Sequence, residues 1–287
     1  MLNIGLIGDI KNLEPQAKKI HDHSEIHISG KSSVGTNTNT GSFRYSIPEF
    51  NRVELIERSD ALIINRFSLL PFQLLCDVVK KSKHIFATEY PAIGIDECRE
   101  LAKLADEAQT VFQINNPFYF SPAVRWLGKN LKKPVYLDIS YFKNDFEETD
   151  PLLPLLFMLK DITGTDPRKI NAISFTNNSS EFGFNNVRLE FGDASTVNIN
   201  FGQANYNEFK IRAWTAGQVV SFNMQTKNYS YNNSTPDLSE FKSINEFDEF
   251  VKSTLKTSSI RSGISEYLSV LQTIDRINAK LDQFSVS

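Results

Sequence analysis

The 287-residue sequence predicts a Rossmann-like α/β domain with a parallel sheet, followed by an α+β domain with an open, mostly antiparallel sheet. Three observations carry this prediction. Short apolar runs alternate with amphipathic segments in the first half, which is typical of parallel strands joined by crossover helices. The second half is a series of β-rich runs between turn residues. The chain also exceeds the usual size of one domain, and we place the two domains at 1–116 and 117–287.

The elements of the first half follow from the spacing of apolar residues, since buried strands are continuous apolar runs and helices repeat them three and four residues apart. Residues 31–42 are rich in Gly, Ser, Thr and Asn and are predicted to form a flexible loop. In chain order we predict strand 2–7, helix 14–23, strand 25–29, strand 61–64, helix 72–81, strand 85–87, a helix from about residue 96, and strand 110–114.

The second half contains one apolar helix at 152–163, which ends at Gly164, a residue typical of helix C-termini. A long amphipathic helix at 260–282 belongs to the same domain. This order of strand, helix, several strands and a final helix predicts an open sheet with helices on one face. The predicted strands are 135–141, 170–176, 185–191, 196–202, 208–214 and 219–224.

Composition excludes several classes of function. A net charge of −3 and a pI near 5.9 give no basic surface for nucleic acid or an anionic membrane. Two cysteines provide neither a disulfide framework nor a zinc site, and the four histidines show no ligand spacing, so we expect no metal. We see no membrane-spanning run and no secretory signal, so the expected location is cytoplasmic.

Residues 84–108, HIFATEYPAIGIDECRELAKLADEA, read as a buried strand, a turn and a helix. The segment resembles the strand of the type GKHVxxEKP and its following helix in the Gfo/Idh/MocA family of NAD(P)-dependent sugar oxidoreductases. Glu89 and Pro91 match that motif, and Tyr90 stands in the place of its lysine. In the family this lysine contacts the substrate hydroxyl and the nicotinamide ribose, so the resemblance makes Tyr90 the candidate catalytic and substrate-binding residue.

Further matches extend the resemblance over nearly the whole chain. Residues 120–123, FSPA, resemble a family motif of the type RFxPA, with Tyr119 about where its arginine stands. Residues 191–194 resemble an FxxG hairpin and 213–217 a GxxG turn. The resemblance implies a sugar-like substrate held near Tyr90, Asn116 and Tyr119, and a homodimer or higher homo-oligomer. The strands around Asn198, Asn200, Tyr206, Phe209 and Trp214 suit a dimer face, or a solvated one.

The first strand runs into a turn where a dinucleotide fingerprint G-x-G-x-x-G belongs. Gly8 supplies the first glycine, whereas Ile10 and Leu13 occupy the places of the second and third. The second glycine lets the backbone approach the pyrophosphate, and a side chain there crowds it. Two interpretations stay open: Gly8, Asp9 and Ile10 bind a nucleotide, or the glycine only allows a tight turn.

Other candidate cofactor-binding residues follow the next strands. Lys31 and Ser32 could accept a 2′-phosphate, which favours NADP over NAD, or could belong to a solvated loop. Asn65 and Arg66 follow the strand at 61–64, where Arg66 could pair with an anion or lie on the surface. Glu89, in the turn after the strand at 85–87, is the last of the candidate cofactor-binding residues.

The residues expected to carry hydride-transfer chemistry are largely absent. An unperturbed tyrosine titrates at about 10 and is a poor proton donor and acceptor near neutral pH in place of a lysine. By the resemblance, the histidine and aspartate of a catalytic helix fall on Pro154 and Phe157. Two hypotheses therefore stand: an NAD(P)-dependent oxidoreductase of a sugar derivative with altered residues, or a catalytically inactive relative that binds no cofactor and serves as a ligand-binding or scaffold subunit.

Overall fold

The computed structural model describes residues 1–21, 23, 25–34, 46–116, 118, 120–144, 150–176, 183–241, 244–256, 258, 262–283 and 285–286. The chain divides into two compact units. Unit 1 consists of Met1–Asn115 and Asn245–Leu268, and unit 2 of Asn116–Ile244 and Ser269–Ser287. Among the described helices, none has the length and apolar character needed to cross a membrane.

The elements alternate in unit 1 and are mostly strands in unit 2. A short 3-10 helix (Phe67–Leu69) follows the third strand. In chain order the other elements are β1 (Leu2–Asp9), α1 (Ile10–His21), β2 (Ile26–Val34), α2 (Arg52–Arg58), β3 (Ala61–Ile64), α3 (Phe72–Lys80), β4 (His84–Ala87), α4 (Ile95–Glu107), β5 (Phe112–Ile114), α5 (Pro122–Asn130), β6 (Tyr136–Lys143), α6 (Leu152–Thr163), β7 (Lys169–Thr176), β8 (Gly183–Glu190), β9 (Thr196–Gln203), β10 (Glu208–Thr215), β11 (Gln218–Asn223), β12 (Asn228–Tyr231), α7 (Glu246–Thr254), α8 (Ile264–Gln283) and β13 (Ser285–Val286).

Unit 1 contains the predicted parallel sheet, with strand order β2-β1-β3-β4-β5. The chain leaves β1 for β2 on one side and later returns to β3 on the other. The carboxyl ends of β1 and β3 therefore form the topological switch point at which such sheets bind ligands. The prediction of a loop from residue 31 is wrong for 31–34, because β2 continues to Val34; 35–42 lie outside the described residues.

Helix α7, which the sequence reasoning missed, belongs to the core of unit 1. Phe247 and Phe250 are buried in one cluster with Ile4 and Phe86, and the rings of Phe86 and Phe250 are 5.4 Å apart. Polar contacts add to this packing, since the side-chain amide of Gln113 donates to the carbonyl of Glu246 at 2.9 Å. The sequence-based division placed all of 117–287 in the second domain, whereas Asn245–Leu268 packs with the first unit.

Unit 2 contains the predicted open sheet, in the order β12-β11-β10-β6-β9-β8-β7-β13. Neighbouring strands are antiparallel except β6 with β9 and β7 with β13. Alternate residues of β6 are buried, such as Leu137 and Ile139, while Tyr136 on the other face of the strand is exposed. Helix α6 is buried along nearly its whole length and ends at Gly164 with φ of +72°, as its sequence predicts.

Candidate functional site

The side chain of Asn65 fills the space beside Gly8 at the switch point of unit 1. Gly8 has a φ of +152°, and a Cβ atom placed there would lie 1.5 Å from Asn65 Oδ1. The same oxygen accepts the backbone N–H of Asp9 at 2.8 Å, and only 6% of Asn65 is exposed. Gly8 is therefore required by the close approach of Asn65, whatever else binds at this turn.

The N-terminus of α1 carries a carboxylate of the chain itself. Asp9 Oδ1 accepts the backbone N–H of Lys11 at 3.1 Å. The second oxygen of Asp9 lies 3.9 Å from Nη1 of Arg66, whose side chain is about half exposed. Leu13, at the place of the third fingerprint glycine, is fully buried. Helix N-termini attract anions because their N–H groups lack partners, and here Asp9 supplies that anion.

Glu49, which the sequence reasoning missed, lies at the end of β2. Its carboxylate forms an ion pair with Lys31 and accepts the N–H of Ser33 at 2.6 Å. Burial opposes ionisation of Glu49, but the hydrogen bonds from Lys31 and Ser33 outweigh it and lower the pKa. Backbone hydrogen bonds between Lys31 and both Pro48 and Phe50 place Glu49 beside the strand. No short-range pattern links Glu49 to β2, so only the fold reveals this contact. Ser32 pairs with Ile7 in the β1–β2 ladder.

Glu89 and Tyr90 both take part in packing contacts of unit 1. Glu89 Oε1 accepts the backbone N–H of Phe67 at 2.8 Å, which connects the end of β4 to the 3-10 helix after β3. The ring of Tyr90 stacks on Tyr267 with centroids 6.3 Å apart and planes 12° apart. The Tyr90 hydroxyl is buried, and the Tyr267 hydroxyl donates to the carbonyl of Pro91 at 2.7 Å.

In unit 2, Asn116 and α6 form an apolar and hydrogen-bonded interior. Asn116 is fully buried, accepts the N–H of Phe118 at 3.0 Å and donates to the carbonyl of Pro154 at 3.3 Å. Phe157 is also fully buried. Asp150 caps α6 by accepting the N–H of Leu152, and burial raises the pKa of Asp150. Pro154 and Phe157, at the places matched to the histidine and aspartate, therefore supply no acid or base. Tyr119 lies outside the described residues.

A cavity of about 520 Å³ opens in unit 2 at the ends of β6, β10 and β11. Three aromatic rings, those of Phe118, Tyr141 and Phe209, pack against one another on one side, with Phe118 and Phe209 centroids 4.7 Å apart. Phe209 was assigned above to the dimer face, which is wrong, because it is buried on the opposite side of β10 from exposed Trp214.

Polar side chains complete the lining of this cavity. The polar residues of the lining are Lys143, Asn144, Asn207, Glu208 and Gln225. The Lys143 ammonium lies 5.6 Å from the centre of the Tyr141 ring, and Asn207 Oδ1 accepts the N–H of Asn144 at 3.1 Å. We call this cavity the aromatic-amide pocket. Among the residues that the structure describes, no cluster of three His, Cys, Asp or Glu side chains could hold a metal ion.

Comparison with known proteins identifies the fold. No family model and no curated protein matches the sequence. The structure is similar to UDP-N-acetylglucosamine 3-dehydrogenase GnnA from Acidithiobacillus ferrooxidans, with a TM-score of 0.78, 14% identity and coverage of 99% of this chain and 98% of that one.

Two further solved structures match over nearly their whole length. WlbA dehydrogenase from Bordetella pertussis, in complex with NADH and UDP-GlcNAcA, gives a TM-score of 0.75 at 12% identity, covering 98% of this chain and 97% of that one. Biliverdin reductase from Synechocystis, in complex with biliverdin and NADP+, gives 0.73 at 13% identity, covering 98% and 99%. The chain therefore has the two-domain fold of Gfo/Idh/MocA-type dehydrogenases.

Proposed function

We propose that this protein is a Gfo/Idh/MocA-type protein that binds a sugar or sugar derivative. The observation that carries the proposal is the aromatic-amide pocket of unit 2. The similarity in fold to GnnA also supports the proposal, since GnnA is named for a UDP-sugar substrate.

The lining of the pocket suits a sugar ring in two ways. Aromatic rings pack against the apolar C–H face of a sugar, and the partly exposed Phe118 offers such a ring above the buried Tyr141 and Phe209. Amide, carboxylate and ammonium groups can donate to and accept from sugar hydroxyls, which is the usual division of a ligand pocket into an apolar body and a few polar groups. A volume of about 520 Å³ accommodates a monosaccharide with a substituent.

Saturation-transfer NMR and calorimetry with N-acetylglucosamine, UDP-N-acetylglucosamine and myo-inositol would test this proposal. We expect saturable binding of at least one of the three, weakened about 2- to 13-fold by Phe118→Ala, since losing an aromatic contact costs about 0.5–1.5 kcal/mol. Phe175→Ala is the matched control, because Phe175 is an exposed aromatic residue of the same unit outside the pocket. No binding, or an equal loss in both variants, would contradict the proposal.

A second candidate is an active NAD(P)-dependent oxidoreductase of a sugar derivative. Gly8, in its φ of +152° at the end of β1, favours it, together with the fold of dehydrogenases solved with NADH or NADP+. When bound at this edge, a nicotinamide dinucleotide supplies or accepts a hydride. The present residues do not fit one, because Asn65 covers Gly8 and Asp9 caps α1. Glu49 in addition pairs with Lys31, the candidate partner of a 2′-phosphate. We therefore favour the catalytically inactive, ligand-binding protein.

Titration of the purified protein with NADH and with NADPH, followed by nicotinamide fluorescence, separates the two candidates. Saturable binding would support the oxidoreductase and make Tyr90→Phe, which keeps the stacked ring and removes the hydroxyl, the next variant for activity assays. Unchanged fluorescence at millimolar cofactor would support the ligand-binding protein.

We also propose a homodimer that forms through the exposed face of the unit 2 sheet. On this face Trp214 packs against Tyr136 at 5.6 Å, and Asn186 donates to Asn200 at 2.8 Å. A stacked pair formed by Phe175 and Phe184 at 4.5 Å extends the face, and both rings are about 40% exposed. Aromatic residues are enriched at protein interfaces. Sedimentation velocity should give a dimer for the wild type and a monomer for Trp214→Glu, whereas Val53→Glu, exposed on unit 1, should remain dimeric.

A further inference from the structure

We infer that the dinucleotide position of unit 1 is filled by side chains of the chain itself, and that Asn65 and Asp9 keep NADH from binding there. The inference deepens the proposed function and rests on it, because it names what closes the cofactor position of a dehydrogenase fold. It also gives Gly8 a role that does not depend on any nucleotide.

In dinucleotide-binding folds of this type, the pyrophosphate lies against the first turn after β1 and accepts hydrogen bonds from the N–H groups at the start of the following helix. Here the N–H of Asp9 is bonded to Asn65 Oδ1 at 2.8 Å, and the N–H of Lys11 to Asp9 Oδ1 at 3.1 Å. Both donors already have an acceptor from the chain. A diphosphate would have to displace both contacts.

The steric requirement of a pyrophosphate is also unmet. The first glycine of the fingerprint permits the tight turn after the strand and leaves the space beside its α-carbon unfilled. In this chain that space holds the amide of Asn65, which would be 1.5 Å from a Cβ atom at Gly8. Ile10 brings a side chain where the second glycine would allow the backbone to approach the phosphates. The Asn65 side chain therefore requires a glycine at position 8, since any side chain there would clash with it.

The charges around this edge also disfavour binding of a diphosphate. The Asp9 carboxylate at the start of α1 repels a diphosphate, and Arg66, 3.9 Å from Asp9, is already paired with it. At the end of β2, the Glu49 carboxylate neutralises Lys31, the residue that could have received a 2′-phosphate. A carboxylate in this position accepts ribose hydroxyls and disfavours a phosphate there. A variant without the Asn65 and Asp9 side chains should therefore bind NADH in preference to NADPH.

The test is gain of cofactor binding in the 287-residue protein. NADH and NADPH are titrated into the wild type, Asn65→Ala, Asn65→Ala/Asp9→Gly, and Asn51→Ala. The last variant is the matched control, because Asn51 also accepts a backbone N–H through its side chain, that of Glu54 at 2.9 Å, but caps α2. Circular dichroism and the urea midpoint of each variant establish that it is folded.

We expect no saturable signal for the wild type and Asn51→Ala at millimolar cofactor, and a saturable NADH signal for Asn65→Ala/Asp9→Gly, tighter than the wild-type limit by roughly tenfold or more. Adding Glu49→Gln should reduce the preference for NADH over NADPH by roughly tenfold, the effect of one charged contact. Wild-type binding as tight as that of the double variant would overturn the inference, and so would a folded double variant that binds neither cofactor.

Sugar binding by the same variants distinguishes this inference from the proposed function. The aromatic-amide pocket is built from residues 118–225 and contains none of the substituted positions. Sugar affinity should therefore be the same in all variants. Loss of sugar binding throughout would count against the proposed function, while the NADH results alone decide whether Asn65 and Asp9 close the edge.

Discussion

Replacing Gly8 by alanine should destabilise the protein through its contact with Asn65, and a double-mutant cycle can isolate that contact. Gly8→Ala places a methyl group 1.5 Å from Asn65 Oδ1 at a φ of +152°. The unfavourable backbone conformation costs about 1–3 kcal/mol. The methyl also displaces Asn65 and leaves the N–H of Asp9 without its acceptor, at about 1–3 kcal/mol. The single variant should therefore lose about 2–6 kcal/mol.

Asn65→Ala alone removes the hydrogen bonds between the Asn65 amide and the backbone of Asp9 and should lose about 1–3 kcal/mol. The double variant has already lost those bonds and contains no clash, so its free energy of unfolding should match that of Gly8→Ala. It should exceed the additive expectation by about 1–3 kcal/mol. Urea denaturation followed by circular dichroism gives all four values.

Gly217→Ala is the control for backbone strain without a clash. Gly217 has a φ of +82°, and nothing lies within 4 Å of a Cβ atom built there. Its combination with Asn65→Ala should be additive within about 0.5 kcal/mol, because the sites share no partner. Additivity of Gly8→Ala with Asn65→Ala would refute the proposed steric coupling.

Three further predictions concern unit 1. Phe250→Ala should cost about 3–5 kcal/mol in urea denaturation, since its fully buried ring packs against Phe86; a loss under about 1 kcal/mol would show that α7 is not part of the core. Burial lowers the pKa of His84 below its usual 6.5, so the contribution of neutral His84 to the free energy of unfolding should be fully present above pH 6.5 and be lost as the pH falls through the folded-state pKa. In His84→Asn the urea midpoint should depend less on pH, and an unchanged pH dependence would refute the assignment of this effect to His84. Burial raises the pKa of Cys98 to about 12, so Ellman's reagent should modify Cys98 and the equally buried Cys76 only after urea is added, and fast labelling of the native protein would contradict their burial.

The sequence predicts the parts of this fold in which a local pattern and the tertiary environment agree. The apolar run of β3 is continuous because the strand is buried on both faces of a parallel sheet. Helix α6 ends at Gly164 because that residue adopts a left-handed conformation. The hairpin between β10 and β11 turns at Gly217 for the same reason.

Prediction was poorer where the decisive contact is distant in sequence. Helix α7 mixes acidic residues with Phe247 and Phe250, and its burial depends on strands more than 150 positions away in the chain. Asn65 could be named as an edge residue, but its insertion beside Gly8 depends on the pairing of β1 with β3. The lining of the aromatic-amide pocket comes from several separate strand ends and has no motif. Periodicity identifies elements, whereas sites depend on which elements become neighbours.

The return of Asn245–Leu268 to unit 1 bears on how the protein is made and engineered. A ribosome has to synthesise all of unit 2 up to Ile244 before α7 can cover the apolar face that Ile4 and Phe86 present. During translation this apolar face stays exposed until α7 has been synthesised. Chaperones act on such exposed apolar surfaces. A truncated protein that stops at residue 116 lacks this helix. A version of unit 1 made alone would need Asn245–Leu268 fused to Met1–Asn115, and a simple circular permutation cannot supply this because Ser269–Ser287 belong to unit 2.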